Sequence, residues 1–216
     1  MDIELRHIEL NDWISITLLF CVMMLAVAKW FSKFHITDLL SAYFKSRFIK
    51  LSRNREEGSS VLITGSVIVY TINVALFIYI YYKKEQQLPI ALNGYLLCLT
   101  FVSVFLLTQH FIGKLIATLC NFEELLNTID HHRNIYRAMF AYALLIINCI
   151  VIYLCNMNET ALLTALIFIG FMLFIYHLIL IYTYRSLLFS THLYFILCLC
   201  ALEITPYLLL YKYFML

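Results

Sequence analysis

The sequence predicts an all-α polytopic membrane protein, with about six transmembrane helices and one amphipathic helix on the cytoplasmic surface. Three observations predict it. The chain is 63% apolar, with a mean hydropathy of +0.88 and only 13% charged residues, outside the composition of soluble domains. Its apolar residues are gathered into runs of about 20, each long enough to cross roughly 30 Å of hydrocarbon. Its Lys and Arg residues fall between those runs with a strong side preference. The runs fill most of the 216 residues, so 1–216 reads as a single integral membrane domain with no room for a sizeable soluble one.

The first run covers 12–31. Asp2, Glu4 and Glu9 precede it against Arg6 alone, and Lys29 and Lys33 close it. Acid before and base after is the reverse of a secretory signal, so this helix reads as a retained anchor with its N-terminus outside. From Ile36 to Leu51 the residues Ile36, Leu39, Leu40, Tyr43, Phe44, Phe48 and Leu51 recur at helical spacing, with Lys45, Arg47, Lys50 and Arg53 on or beyond the other side. That pattern predicts a helix lying in the membrane surface, its cations against anionic lipid headgroups. A docking face for a soluble partner is the alternative.

Further spans are expected at 60–82, 90–112, 138–157, 160–183 and 190–211. The links 83–89 and 156–159 are short enough to make tight antiparallel hairpins. Orientation follows from the basic residues. Lys29, Lys33, Lys45, Arg47, Lys50, Arg53, Arg55, Lys114, Arg133, Arg137 and Arg185 lie on one side, and only Arg6, Lys83, Lys84 and Lys212 on the other. The positive-inside rule makes the first set cytoplasmic and puts both termini outside. Leu115, Leu119, Phe122, Leu126 and Ile129 alternate by four and three, which extends helix three beyond the membrane or starts a second surface helix. Packing against the first surface helix accounts for that seam.

Candidate chemistry begins with Glu203, a carboxylate set three residues before Pro206 in an otherwise apolar run. An ionisable group at that depth is costly and marks a site or a polar partner within the bundle. Glu203 lies as far into helix six as Asn73 lies into helix two, and Asn148 falls near mid-depth in helix four, so the three could meet in one layer. Pro206 removes the donor to the Leu202 carbonyl and predicts a kink. Two readings stay open for Glu203: a proton-titratable or substrate-contacting group, and an interhelical hydrogen bond that fixes packing.

His110 and His177 both fall toward the cytoplasmic side, where two imidazoles could serve a haem as axial ligands. A histidine satisfied by a hydroxyl or carbonyl is the plainer reading of each. Asp130-His131-His132-Arg133 has a metal-like composition, but adjacent histidines diverge on a helix and no pair has converging spacing. A solvated loop is expected there, and no metal site. The seven cysteines show no Cys-x-x-Cys pair and read as small packing residues. No Gly-rich phosphate loop or Gly-x-Ser-x-Gly elbow is present. The basic stripe between membrane spans favours lipid over nucleic acid.

The pattern Tyr194-Phe195, Leu197, Leu199-Cys200, Leu202-Glu203-Ile204, Pro206 and Leu208-Leu209 resembles the C-terminal signature of an uncharacterised membrane-protein family of Bacteroidota, a domain of unknown function. The resemblance is to that helix, with a looser match elsewhere in length and hydropathy. Cys198, Ala201 and Thr205 stand where the family pattern has Tyr, Thr and Leu. It implies a bacterial inner-membrane protein in which Glu203 and Pro206 are the unusual residues, and it brings no established activity.

The expected function is therefore a non-enzymatic component of a membrane assembly, with membrane-protein partners or further copies of the chain, and no cofactor. The alternatives are a transporter or proton-coupled protein using Glu203, and a haem or tetrapyrrole protein using His110 and His177.

Overall fold

The computed structural model describes residues 12–31, 56–86, 90–119 and 123–190, and every element among them is helical. Helix α1 is Asp12–Phe31, α2 is Glu56–Glu85 and α3 is Leu92–Leu119. Helix α4 is Glu123–Cys149, which continues into a π-helical turn at Ile150–Leu154, and α5 is Glu159–Ser190. All five are long and apolar enough to cross a membrane, over Asp12–Trp30, Val61–Lys84, Leu92–Leu115, Asp130–Leu154 and Glu159–Tyr176. The expected sixth span at 190–211, with Glu203 and Pro206, lies outside the described residues, as does the expected surface helix with Lys45, Arg47, Lys50 and Arg53.

The helix ends follow the charge pattern. Asp12 and Glu159 sit in the first turns of α1 and α5, and Lys29 and the Lys83-Lys84 pair in the last turns of α1 and α2. These are the ends at which the backbone dipole favours each sign.

Helix α2 is the hub and packs against α1, α3 and α4. In lipid there is little hydrophobic gain from bringing helices together, so close backbone approach and interhelical polar contacts must hold them. The residues at the contacts are accordingly small. Ala28, Gly65, Ser66, Ala75, Ala138 and Ala141 are all buried, and a Cβ on Gly65 would lie 3.0 Å from the Ala28 Cβ. Among the described residues, three apolar clusters stack along this hub. One joins Leu62 to Ile135 and Ala138. The next joins Cys21 and Leu25 of α1 to Val69, Tyr70, Ala141 and Leu144. The third gathers Ile14, Leu76, Ile80, Tyr95, Val102 and Leu162, among others, from α1, α2, α3 and α5.

At the α2–α3 link the rings of Trp13, Tyr79 and Tyr95 meet with centroids 5.1–6.3 Å apart. The Tyr79 hydroxyl accepts from the Ala91 N–H and donates to the Ala91 carbonyl, each at 2.7 Å, beside the start of α3. Gly94 makes room for that ring, since a Cβ there would lie 2.9 Å from it.

Large apolar side chains cover the outer faces. Leu19, Phe20 and Met23 on α1, Leu97, Val104 and Phe111 on α3, and Ile167, Phe171 and Phe174 on α5 are all exposed. Apolar area on that scale is foreign to a soluble monomer and suits a lipid-facing shell. The chain is an integral, multi-pass membrane protein.

Two features differ from the sequence expectation. Asp130-His131-His132-Arg133 is helical, not a solvated loop, and Asp130, His132 and Arg133 are buried. Neither Gly nor Pro occurs between Gly113 and Gly170, so neither interrupts α4 at this tetrapeptide, and Asp130 is held by Arg133 of its own helix and by His110 of α3. The second is the π turn. There the Cys155 N–H reaches the Ile150 carbonyl at 3.1 Å and the Met157 N–H the Val151 carbonyl at 3.0 Å. Asn156 and Met157 then take φ of 48° and 54°. Asn tolerates this left-handed conformation readily, whereas Met157 enters it while its side chain packs into the third cluster.

Candidate functional site

Among the described residues, two polar layers cross the bundle. The first lies between α3 and α4, near the ends that face each other across residues 120–122. On α4, Asp130, Arg133 and Arg137 follow i, i+3, i+7 spacing, which puts all three on one face. On α3, Gln109 and His110 meet that face.

The Asp130 carboxylate is shared: Oδ1 accepts from Arg133 Nη2, and Oδ2 lies 3.4 Å from His110 Nδ1. Arg137 Nη2 donates to Gln109 Oε1 at 3.1 Å. Gln109, Asp130 and Arg133 are buried, whereas His110 keeps about a third of its side chain exposed. A buried carboxylate is tolerable here because a guanidinium of its own helix neutralises it, and the contact to His110 ties the pair across to α3. Arg133 Nε is buried and has no acceptor among the described residues.

The second layer lies deeper, between α2 and α4. Asn148 Nδ2 donates to Asn73 Oδ1 at 3.0 Å and to the Asn73 carbonyl at 3.1 Å. Asn73 Nδ2 donates back along its own helix to the Val69 carbonyl at 2.9 Å. Neither side chain is more than 1% exposed. With its own N–H group bonded back to Val69, the Asn73 amide presents its oxygen to α4, and a second amide is the simplest partner for it. Asn148 is the last polar residue of α4 before the π turn, so this bond anchors the point at which the helix widens. Nearer the opposite surface, the Tyr153 hydroxyl lies 2.7 Å from Ser15 Oγ, joining the π turn to α1.

The structure therefore brings Asn73 and Asn148 together, while Glu203, expected at the same depth, lies outside the described residues. His110 faces Asp130. His177 is on α5, and its side chain lies outside the described residues. No group of three or more His, Cys, Asp or Glu side chains among the described residues is arranged to hold a metal ion. Sequence reasoning does not mention Gln109, reads Asp130 and Arg133 as part of a solvated loop, and counts Arg137 only as a cytoplasmic cation. The signal that finds them is the i, i+3, i+7 spacing on α4 beside the Gln109-His110 pair at the end of an apolar run.

As chemistry, the first layer can hold a proton between His110 and Asp130 and can offer guanidinium donors to an anion. Among the described residues the second offers two neutral amides, with the Cys21 thiol against Asn73. No curated protein and no solved structure matches the chain. Residues 14–214 match the family model described as domain of unknown function (DUF4271), and the chain belongs to that family.

Proposed function

We propose that this protein is a non-enzymatic component of an assembly in the bacterial inner membrane, with both termini in the periplasm. One observation supports it most. Polar side chains of the described bundle pair with one another across helix boundaries, His110 with Asp130, Gln109 with Arg137, and Asn148 with Asn73. Groups committed in this way fasten α2, α3 and α4 together. They leave the apolar faces of α1, α3 and α5 as surfaces for lipid or for neighbouring membrane proteins. In this reading Glu203 adds a carboxyl to the Asn73–Asn148 layer, Pro206 bends its helix there, and Lys45, Arg47, Lys50 and Arg53 rest on anionic headgroups of the cytoplasmic leaflet.

Purification in mild detergent, followed by mass spectrometry and an optical spectrum of what accompanies the chain, tests this. A stoichiometric membrane-protein partner, or a defined oligomer of the chain itself, is expected. A Soret band from bound haem, or a monomer that carries protons or solute when reconstituted alone, contradicts it.

A further inference from the structure

Among the described residues, the α3–α4 layer carries more positive charge than its acids match. Lys114, Arg133 and Arg137 all lie within electrostatic reach of His110, and Asp130 is the acid among them. Arg133 is matched by Asp130, whereas Arg137 meets the neutral oxygen of Gln109 among the described residues. Lys114 is exposed, and among the described residues no carboxylate pairs with it or with Arg137.

The depth of these groups sharpens the problem. Lys114 and Arg133 lie close to the ends of the spans Leu92–Leu115 and Asp130–Leu154, but Arg137 lies two turns inside the second. A guanidinium at that depth needs a counter-charge, or must stretch toward the headgroups to find one. Arg133 adds a buried Nε–H with no acceptor among the described residues. The partner that these donors lack among the described residues is an anion with several acceptor oxygens, at headgroup level, on the half-exposed side of His110. A phosphate diester has that chemistry, and the forked donors of arginine match it.

We propose that the phosphate of an anionic phospholipid headgroup sits against α3 and α4, where Lys114 and Arg137 flank the His110–Asp130–Arg133 cluster. The acyl chains then lie along the exposed apolar face of α3 at Leu107 and Phe111. The proposal needs only an integral membrane protein, and it stands whether or not the chain belongs to an assembly.

The test is retention of lipid by the full chain in mild detergent, read by native mass spectrometry. Phosphatidylglycerol is compared with phosphatidylcholine of the same acyl chains and with inorganic phosphate as competitor. Phosphatidylglycerol should be retained preferentially, and its apparent affinity should fall about fivefold for each of Lys114→Gln and Arg137→Gln. Arg137→Lys should keep much of the preference. Equal retention of the two lipids, or a Lys114→Gln/Arg137→Gln double variant that still prefers phosphatidylglycerol, overturns the proposal. Displacement by millimolar inorganic phosphate would assign the site to free phosphate instead and overturn the lipid reading. Should the double variant not fold, salt titration of the unaltered chain decides. Preference lost as ionic strength rises supports the site, and preference indifferent to salt refutes it.

Discussion

Asp130 has two partners and one charge, and its removal exposes what the first polar layer contributes. In Asp130→Asn the amide keeps the shape of the carboxylate but leaves Arg133, nine-tenths buried, without its counter-charge. Breaking a buried pair in this way costs about 3 kcal/mol, and the melting temperature in detergent should fall clearly. Gln109→Leu should cost less, about 1 kcal/mol, because half-buried Arg137 can turn toward the headgroups. Circular dichroism melts of the two variants check the order, and equal losses would mean that Asp130 is not the centre of the layer. Single residues also mark the limit of sequence reading. Asn73 and Asn148 stood out as amides inside apolar runs, and matching their depth placed them in one layer. Asp130 stood out only within a metal-like tetrapeptide and reads as loop, because it lies where an apolar run gives way to polar residues. Only its spacing to Arg133 and Arg137 carries the information.

At the scale of the element, the interface between α1 and α2 depends on the lack of a side chain at Gly65. A Cβ there already presses on Ala28 at 3.0 Å, so Gly65→Ala requires a shift of a few tenths of an ångström. Gly65→Val forces the helices apart. The Val variant should insert normally but lose cohesion between α1 and α2, lowering the melting temperature and raising protease sensitivity at the α1 end. Limited proteolysis in detergent reads this directly, and a cleavage pattern unchanged by Val would show that the two helices are not held by close approach. The same scale explains what apolar periodicity reveals and what it hides. The five long runs were legible because each is bounded by charge or by Gly or Pro. The continuity of α4 from Glu123 was not, since the polar run Asp130 to Arg133 reads as an interruption, and Asp130 is held there by Arg133 and by His110 of α3. The π turn at Ile150–Leu154 was not legible either. It consists of five apolar residues, and its widened backbone answers to packing around Asn148 and Met157, which no local composition records.

For the whole molecule, the distribution of Lys and Arg sets the proposed orientation. A reporter active only in the periplasm should be active when fused after Lys212 and silent when inserted at Gly58, and the reverse pattern would invert the molecule in the membrane. Orientation decides which leaflet meets the Lys114–Arg137 patch, but it leaves the role of the bundle open. That role rests on the claim that the polar layers are fasteners, which ties function to folding. The most direct measurement is therefore the phenotype of a gene deletion, scored beside folded yield and melting temperature for strains carrying Asp130→Asn, Gln109→Leu or Asn148→Leu. Individual hydrogen bonds inside membranes average about 0.6 kcal/mol, so Asn148→Leu should be a mild variant. Loss of function should follow loss of folded protein across all three. A variant that melts and accumulates like the unaltered chain, yet fails to restore the phenotype, would make that layer a working site and contradict the account.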